Sequence, residues 1–230
     1  MGKSHLKRIN TPKTWHIKRK SMTFITRPNP GSASFVLGMP LGVILRDMLE
    51  VAHTSKEVRT LLQGKQVIVD GIARKDPKHI VGFMDTVSFP MLGTHYRMVL
   101  TKQGMLTLKP ISKDESQTKL LKIKGKTKVK GKIQLNLFDG RNILVDKDSY
   151  KVGDTVTYDI GIKKITENLS LAKDMPILLI GGKHIGQTGM ITHTSTNFIS
   201  YTTKDGETVE TLKSYAYCVG KHLAKVTISE

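Results

Sequence analysis

Acidic residues, cysteines, aromatics and long apolar runs are all scarce in this 230-residue chain, and each scarcity closes off a class of function. No acid occurs before Asp47, while the 46 residues ahead of it hold nine Lys or Arg. A stretch so one-sided repels itself and orders only against an anionic partner. The usual partner is a phosphate backbone, because each cation that neutralises a phosphate releases a condensed counterion. The single Cys218 leaves no intramolecular disulfide framework and no cysteine-cluster zinc site. Between Tyr217 and Val219 it reads as a small buried apolar residue. Aromatics make up 6% of the chain, too few for a protein that lives by base stacking. No run reaches the ~18 apolar residues of a membrane span. The longest candidate, 35–45, is broken by Gly38, Pro40 and Gly42. No apolar stretch of a secretory signal opens the chain, so a cytosolic protein with no membrane partner is expected.

What is present is positive charge. The chain has 37 Lys and Arg against 19 Asp and Glu, a formal net charge of +18. That balance is the electrostatic footprint of a nucleic-acid binder more than of a merely basic soluble enzyme. At 38% hydrophobic the chain can bury a core, and its length suits two or three small domains.

The expected class is α+β, mostly β. Residues 1–37 read as a basic N-terminal arm in which Pro12, Pro28, Pro30 and Gly31 discourage regular structure. Trp15 and His16 sit among its cations; Trp15 suits either stacking on a nucleotide or pinning the arm to the protein's own surface. Residues 38–92 form a second segment. Leu41, Ile44, Leu45, Met48, Leu49 and Ala52 make one apolar stripe at helical spacing. Thr54-x-x-Glu57 is a capping box for a second helix, with Val58, Leu61 and Leu62 inward and Gly64 at its end. Lys56, Arg59, Thr60 and Gln63 lie opposite that face, with Lys65 just beyond, and could run along a phosphate backbone. Val67 to Val69 reads as a strand and Asp70-Gly71 as a hairpin turn.

Residues 93–172 read as a central β domain. Tyr96–Leu100 and Met105–Lys109 form a hairpin around Lys102-Gln103-Gly104. In the run from Leu120 to Ile133, Lys122, Lys124, Lys126, Lys128, Lys130 and Lys132 occupy alternate positions, so an extended chain would put them all on one face. Gly125 and Gly131 suggest turns that split the run. A phosphate-facing surface explains six lysines without a local acid better than edge protection does. Residues 173–230 read as a small SH3-like barrel: a short strand, the glycine-rich loop 181–189, and a second strand from Met190.

No catalytic pattern is readable in the sequence. GGKHIGQTG does not fit the phosphate-binding P-loop, since His184 follows Lys183, and it lacks dinucleotide-binding spacing. The eight His are dispersed, and Asp70, Asp85, Asp139 and Asp154 sit in turn settings that explain them better than acid–base work. No enzyme activity, metal, cofactor or small-molecule substrate is expected.

Three stretches together resemble one family. Residues 54–89 resemble the RNA-binding module named after bacterial ribosomal protein S-four, through Ser55, Lys56, Arg59, Leu62, Gly64, Val67, Val69, Asp70, Gly71, Gly82 and Asp85. The last pair departs from that module's adjacent Gly-Asp, because Phe83 and Met84 intervene. Residues 178–191 resemble a KOW motif through Gly182, Gly186, Gly189 and Ile191. The opening HLKRINTPKTWHIKRK, with FVLGMPLGVILRDML after it, resembles the start of the archaeal and eukaryotic ribosomal protein S-four-e family, and the order of segments is similar to that family throughout. The sequence runs only a little past Val219-Gly220-Lys221, without the long basic tail of eukaryotic members, and in this resembles archaeal ones.

The resemblance implies a structural protein of the small ribosomal subunit, in the cytoplasm, with ribosomal RNA and neighbouring ribosomal proteins as partners. The expected RNA contacts are Lys3, Lys7, Arg8, Lys13, Trp15, His16, Lys18, Arg19, Lys20 and Arg27 in the arm, and Lys56, Arg59 and Lys65 in the module. The six β-domain lysines from Lys122 to Lys132 would follow, then Lys183 and His184 in the glycine loop. The rivals are a free translation or transcription regulator with a KOW domain, which has no obvious need of the acid-free arm, and an RNA-modifying enzyme, for which 93–172 is too short and Lys-rich.

Overall fold

The computed structural model describes residues 4–203 and 206–220. The architecture is mostly β, and among the described residues the short helical pieces all fall before Gln117. The chain divides into two compact units, Met1–Val99 with Met105–Gln117 and Leu100–Gly104 with Thr118–Glu230.

In the first unit, residues expected to form a loose arm are folded. Leu6–Lys7 pairs antiparallel with Phe24–Ile25, and Leu6 and Ile25 turn inward as register partners. Trp15 is 1% exposed and bridges to Leu106, whose N–H donates to the Thr14 carbonyl at 2.6 Å. A tryptophan buries more area than any other side chain, so this one anchor offsets much of the entropy lost in ordering the segment. The helix expected from Leu41 is shorter than its stripe: an α-turn over Leu41–Val43 widens into a π-turn over Ile44–Met48. Glu50, at φ 52°, then ends it. Leu41, Ile44 and Leu45 are still buried.

The second helix, Ser55–Gln63, starts where the capping box places it. Thr54 Oγ1 accepts from the Glu57 N–H, and Glu57 answers by accepting from the Thr54 N–H. Val58 and Leu62 are buried. Gly64 closes the helix at an ordinary φ of −69°, and Lys65 takes the left-handed conformation at φ 54°. Asp70 and Gly71, at φ 48° and 75°, form the tight turn between Ile68–Val69 and Ile72–Ala73. The sheet runs Ile72–Ala73, Ile68–Val69, Thr86–Phe89, Thr94–Leu100, Leu106–Ile111. Its last two strands are the hairpin assigned from sequence to the central domain; Thr86–Phe89 captures it by pairing directly with Thr94–Arg97. The two residues between Gly82 and Asp85 do not open that corner, because the Asp85 carboxylate accepts from the Gly82 N–H at 2.7 Å.

In the second unit one antiparallel sheet orders Asn142–Val145, Lys132–Leu137, Thr118–Val129, Thr155–Asp159, Lys164–Leu169. Its core holds Leu121, Ile123, Leu135, Leu137, Val156, Tyr158 and Ile160. The other orders Thr208–Leu212, Phe198–Thr203, Thr188–Thr194, Pro176–Leu179, Ala216–Cys218, with Ile177, Leu178, Ile191, Ile199 and Tyr201 inward. Cys218 is buried, as its neighbours suggested.

Strand Thr118–Val129 is not one flat ribbon. It pairs with Thr155–Asp159 through Thr118 to Lys122, then with Lys132–Leu137 from Ile123 onward, and its register shifts between Ile123 and Gly125. Gly125 therefore marks a bulge, whereas Lys130-Gly131, at φ 48° and 78°, is a true turn.

Candidate nucleic-acid interface

The cations of the N-terminal segment sort by chemistry. Its arginines turn toward the chain. Arg8, 4% exposed, donates to the Lys18 carbonyl and to Asp47, both at 3.0 Å. Arg19 donates to the carbonyls of Thr11 and Pro12, and Arg27 to that of His5. A planar fork of five donors suits several carbonyls at once, which a lysine ammonium does not. The lysines turn outward: Lys7, Lys13, Lys18 and Lys20 are exposed, as is His16. Lys3 lies outside the described residues.

Two assignments from sequence, Trp15 and Arg8, give way to internal contacts. Trp15 is buried and cannot stack on a nucleotide; of its two readings, the pinning one holds. Arg8 is buried and committed to Asp47, whereas Arg19 and Arg27 donate to backbone carbonyls while staying half-open to solvent. Asp47 organises this corner, also accepting from Arg46 at 2.8 Å. Burial alone would raise its carboxyl, but hydrogen bonds and charge from Arg46 and Arg8 outweigh that and hold it below the usual range. The signal for it was its place as the first acid after nine cations.

On the helix Ser55–Gln63, Lys56, Arg59 and Gln63 share one exposed face at i, i+3 and i+7, opposite Val58 and Leu62, and exposed Lys65 follows. These three cations stand where the sequence put them, together on solvent.

The alternating lysines do not share a face. Lys122 is 6% exposed, and its ammonium donates to the carbonyls of Lys213, Ser214 and Ala216 at 3.0, 2.9 and 2.6 Å. Burial, and then the charge of Lys213, push it down to about 8. Lys126 is bound to Asp148 and to the Tyr150 carbonyl. Lys124, Lys128, Lys130 and Lys132 remain exposed, Lys132 in a surface pair with Asp146 at 2.9 Å. Lys122 is thus corrected from a phosphate contact to an internal one, and Lys126 is engaged in a surface pair. The bulge at Ile123–Gly125 breaks the period-two alternation. Lys119, which the sequence did not single out, is likewise buried against Asp139 at 3.2 Å.

In the loop after Pro176–Leu179, Lys183 is exposed and His184 half-buried, its Nδ1 3.1 Å from Gln187 Oε1. Gly182 and Gly186 have φ of 81° and 87°. A Cβ on Gly186 would run into the Thr101 carbonyl, so this loop requires glycine there.

Comparison with known proteins bears on what this surface serves. Residues 92–165 match the model of ribosomal family S4e, and residues 1–32 match the RS4NT (NUC023) domain. The chain is 39% identical over 234 aligned positions to the small ribosomal subunit protein eS4 of Methanothermobacter thermautotrophicus, covering 99% of this chain and 96% of that one. This chain belongs to the eS4 family. The corresponding protein of Methanocella arvoryzae is 36% identical, with 95% of this chain and 94% of that one covered. The crystal structure of the 30S ribosomal protein S4e from Thermoplasma acidophilum superposes with a TM-score of 0.69 at 30% identity, covering 80% of this chain and 96% of that one. The resemblance carried by the opening residues, the helix–hairpin module and the glycine loop therefore identified the family correctly, and the relatives are archaeal.

Proposed function

We propose that this eS4-family chain is a structural constituent of the small ribosomal subunit in the cytoplasm. In this reading it binds ribosomal RNA through phosphate and shape contacts, and abuts neighbouring small-subunit proteins. The observation that carries the reading is near full-length identity with proteins named as small ribosomal subunit protein eS4. Surface chemistry supports it: Lys7, Lys13, Lys18, Lys20, Lys56, Arg59 and Lys65 face solvent on a folded scaffold. A folded backbone fixes where these cations start from, so less chain ordering remains when they meet phosphates. The capped helix, the Asp70-Gly71 turn and the Gly82–Asp85 clasp support reading 38–92 as an S-four-like RNA-binding module. The strained glycine loop between two strands supports reading 173–230 as a KOW domain with an SH3-like barrel, presenting Lys183 and His184. The role is binding and scaffolding, as suits a ribosomal protein family, with no cofactor invoked.

The test is equilibrium binding of the whole chain to small-subunit ribosomal RNA across a salt series. We expect a steep negative slope of log K against log salt, made shallower by about 1.5 when Lys56→Ala and Arg59→Ala are combined. A slope that this pair leaves unchanged removes the helix from the interface. Failure to bind RNA at low salt contradicts the function itself.

A further inference from the structure

The second unit carries a groove whose apolar lining the cation assignments leave out. It encloses about 650 Å³, and its lining includes Lys124, Val152, Phe198, Leu212 and Lys213. Phe198 and Leu212 are register partners on adjacent strands, so their side chains stand side by side on one sheet face. Both are open to solvent, at 47% and 39%, and Val152 beside them is 50% exposed. Exposed apolar surface gathered in a concavity marks a place where something docks.

The charge of the groove says what kind of thing. Exposed Lys124, half-buried Lys213 and buried Lys122 are among the residues that line it, and no Asp or Glu is. Asn197 and Ser214 add an exposed amide and an exposed hydroxyl at its edge. A ring, two accessible cations and small hydrogen-bonding groups match a ligand with a flat apolar face, a polar edge and negative charge on its flanks. An aliphatic protein segment would leave the lysines desolvated without partners.

We propose that this groove seats one unstacked nucleotide of a single-stranded stretch of RNA, its base against Phe198 and its flanking phosphates against Lys124 and Lys213. Single-stranded loops and bulges offer such bases, and aromatic side chains receive them through stacking that tolerates any sequence. The inference rests on the RNA-binding reading above and adds to it a stacked base beside two phosphate contacts, in a protein otherwise read as gripping backbone.

The test is a tryptophan placed at the groove. Trp15 is the chain's one tryptophan and is buried, so Phe198→Trp in the full chain adds a distinct exposed emitter. Titration with small-subunit ribosomal RNA should quench the added emission as binding saturates. Phe198→Ala should weaken binding about tenfold without changing the salt slope, because a ring carries no charge. Lys124→Ala with Lys213→Ala should make the slope shallower by about 1.4. RNA that binds with wild-type affinity to Phe198→Ala, or that saturates Phe198→Trp without quenching it, overturns the groove and leaves the RNA-binding reading standing. A blue shift on incorporation into the subunit, with no quenching by RNA alone, points to a protein segment in the groove and overturns the inference as well. Absence of RNA binding by the unaltered chain sinks both.

Discussion

Asp47 shows how one carboxylate decides whether a basic segment is an arm or part of a fold. It accepts from Arg8 and Arg46, and Arg8 in turn reaches back to the Lys18 carbonyl. Removing one partner of a largely buried pair leaves the other charge uncompensated, so Asp47→Asn should cost about 2 kcal/mol and loosen the segment around Trp15. Trp15 emission, red-shifting on exposure, reads this out. The pH dependence has a definite sign. The folded carboxyl lies below its unfolded value of about 3.9, so its stabilisation is complete above about pH 4 and is lost as pH falls through the lower folded value. Docking of Trp15 should therefore hold at neutral pH and loosen in acid, and Asp47→Asn should lack that acid step. At this scale sequence shows residue type but not direction. Arg8 and Lys7 look alike in the chain, yet one is buried against a partner 39 residues away and the other faces solvent. Trp15 meets Leu106 across an even longer separation, which no local pattern encodes.

At the scale of elements, local chemistry was legible and irregularity was not. The Thr54 capping box and the Asp70-Gly71 turn are specified by side chains within four residues, and both form as read. The π-turn over Ile44–Met48 and the bulge at Ile123–Gly125 depend on what packs against them, so a stripe and an alternation each overstated regularity. Lys122, just before the bulge, carries a measurable pH dependence. Its folded value of about 8 lies below its ordinary 10.5. Between those values the unfolded chain keeps a proton that the folded chain has released, so stability should rise with pH across that window. Lys122→Met should abolish the rise, and at pH 7 should cost about 2 kcal/mol by leaving three carbonyls short of a donor. Urea denaturation at pH 7 to 10 checks both. The glycine loop makes a complementary prediction. Gly186→Ala combines a positive φ with a collision at the Thr101 carbonyl, and should cost at least about 3 kcal/mol. Gly131→Ala, also at positive φ but with open space around it, should cost only about 1 kcal/mol. Equal losses in the two variants would remove steric fit as the reason for Gly186.

For the whole molecule, net charge pointed to the right class of partner but overcounted the cations available to it. Of the 37 Lys and Arg, Arg8, Lys119 and Lys122 are buried against internal partners, and Arg19, Arg27 and Lys126 are partly engaged by the chain itself. The mostly-β class was legible from alternation and turn residues, and the family from motifs whose order spans the chain. The ordered N-terminus was not, because charge segregation predicts repulsion and says nothing of an anchor such as Trp15. Deleting residues 1–30 should therefore lower the melting temperature of the isolated protein as well as weaken RNA binding, since Leu6, Trp15 and Ile25 leave the core. A truncated chain that melts like the full one would restore the loose-arm reading. The central claim is residence in the small ribosomal subunit. Its most direct test is sedimentation of a cell lysate through sucrose gradients at moderate and high salt, with immunodetection of this chain. The account predicts co-migration with the small subunit that survives the high-salt wash. Release to the top fractions at moderate salt would contradict it.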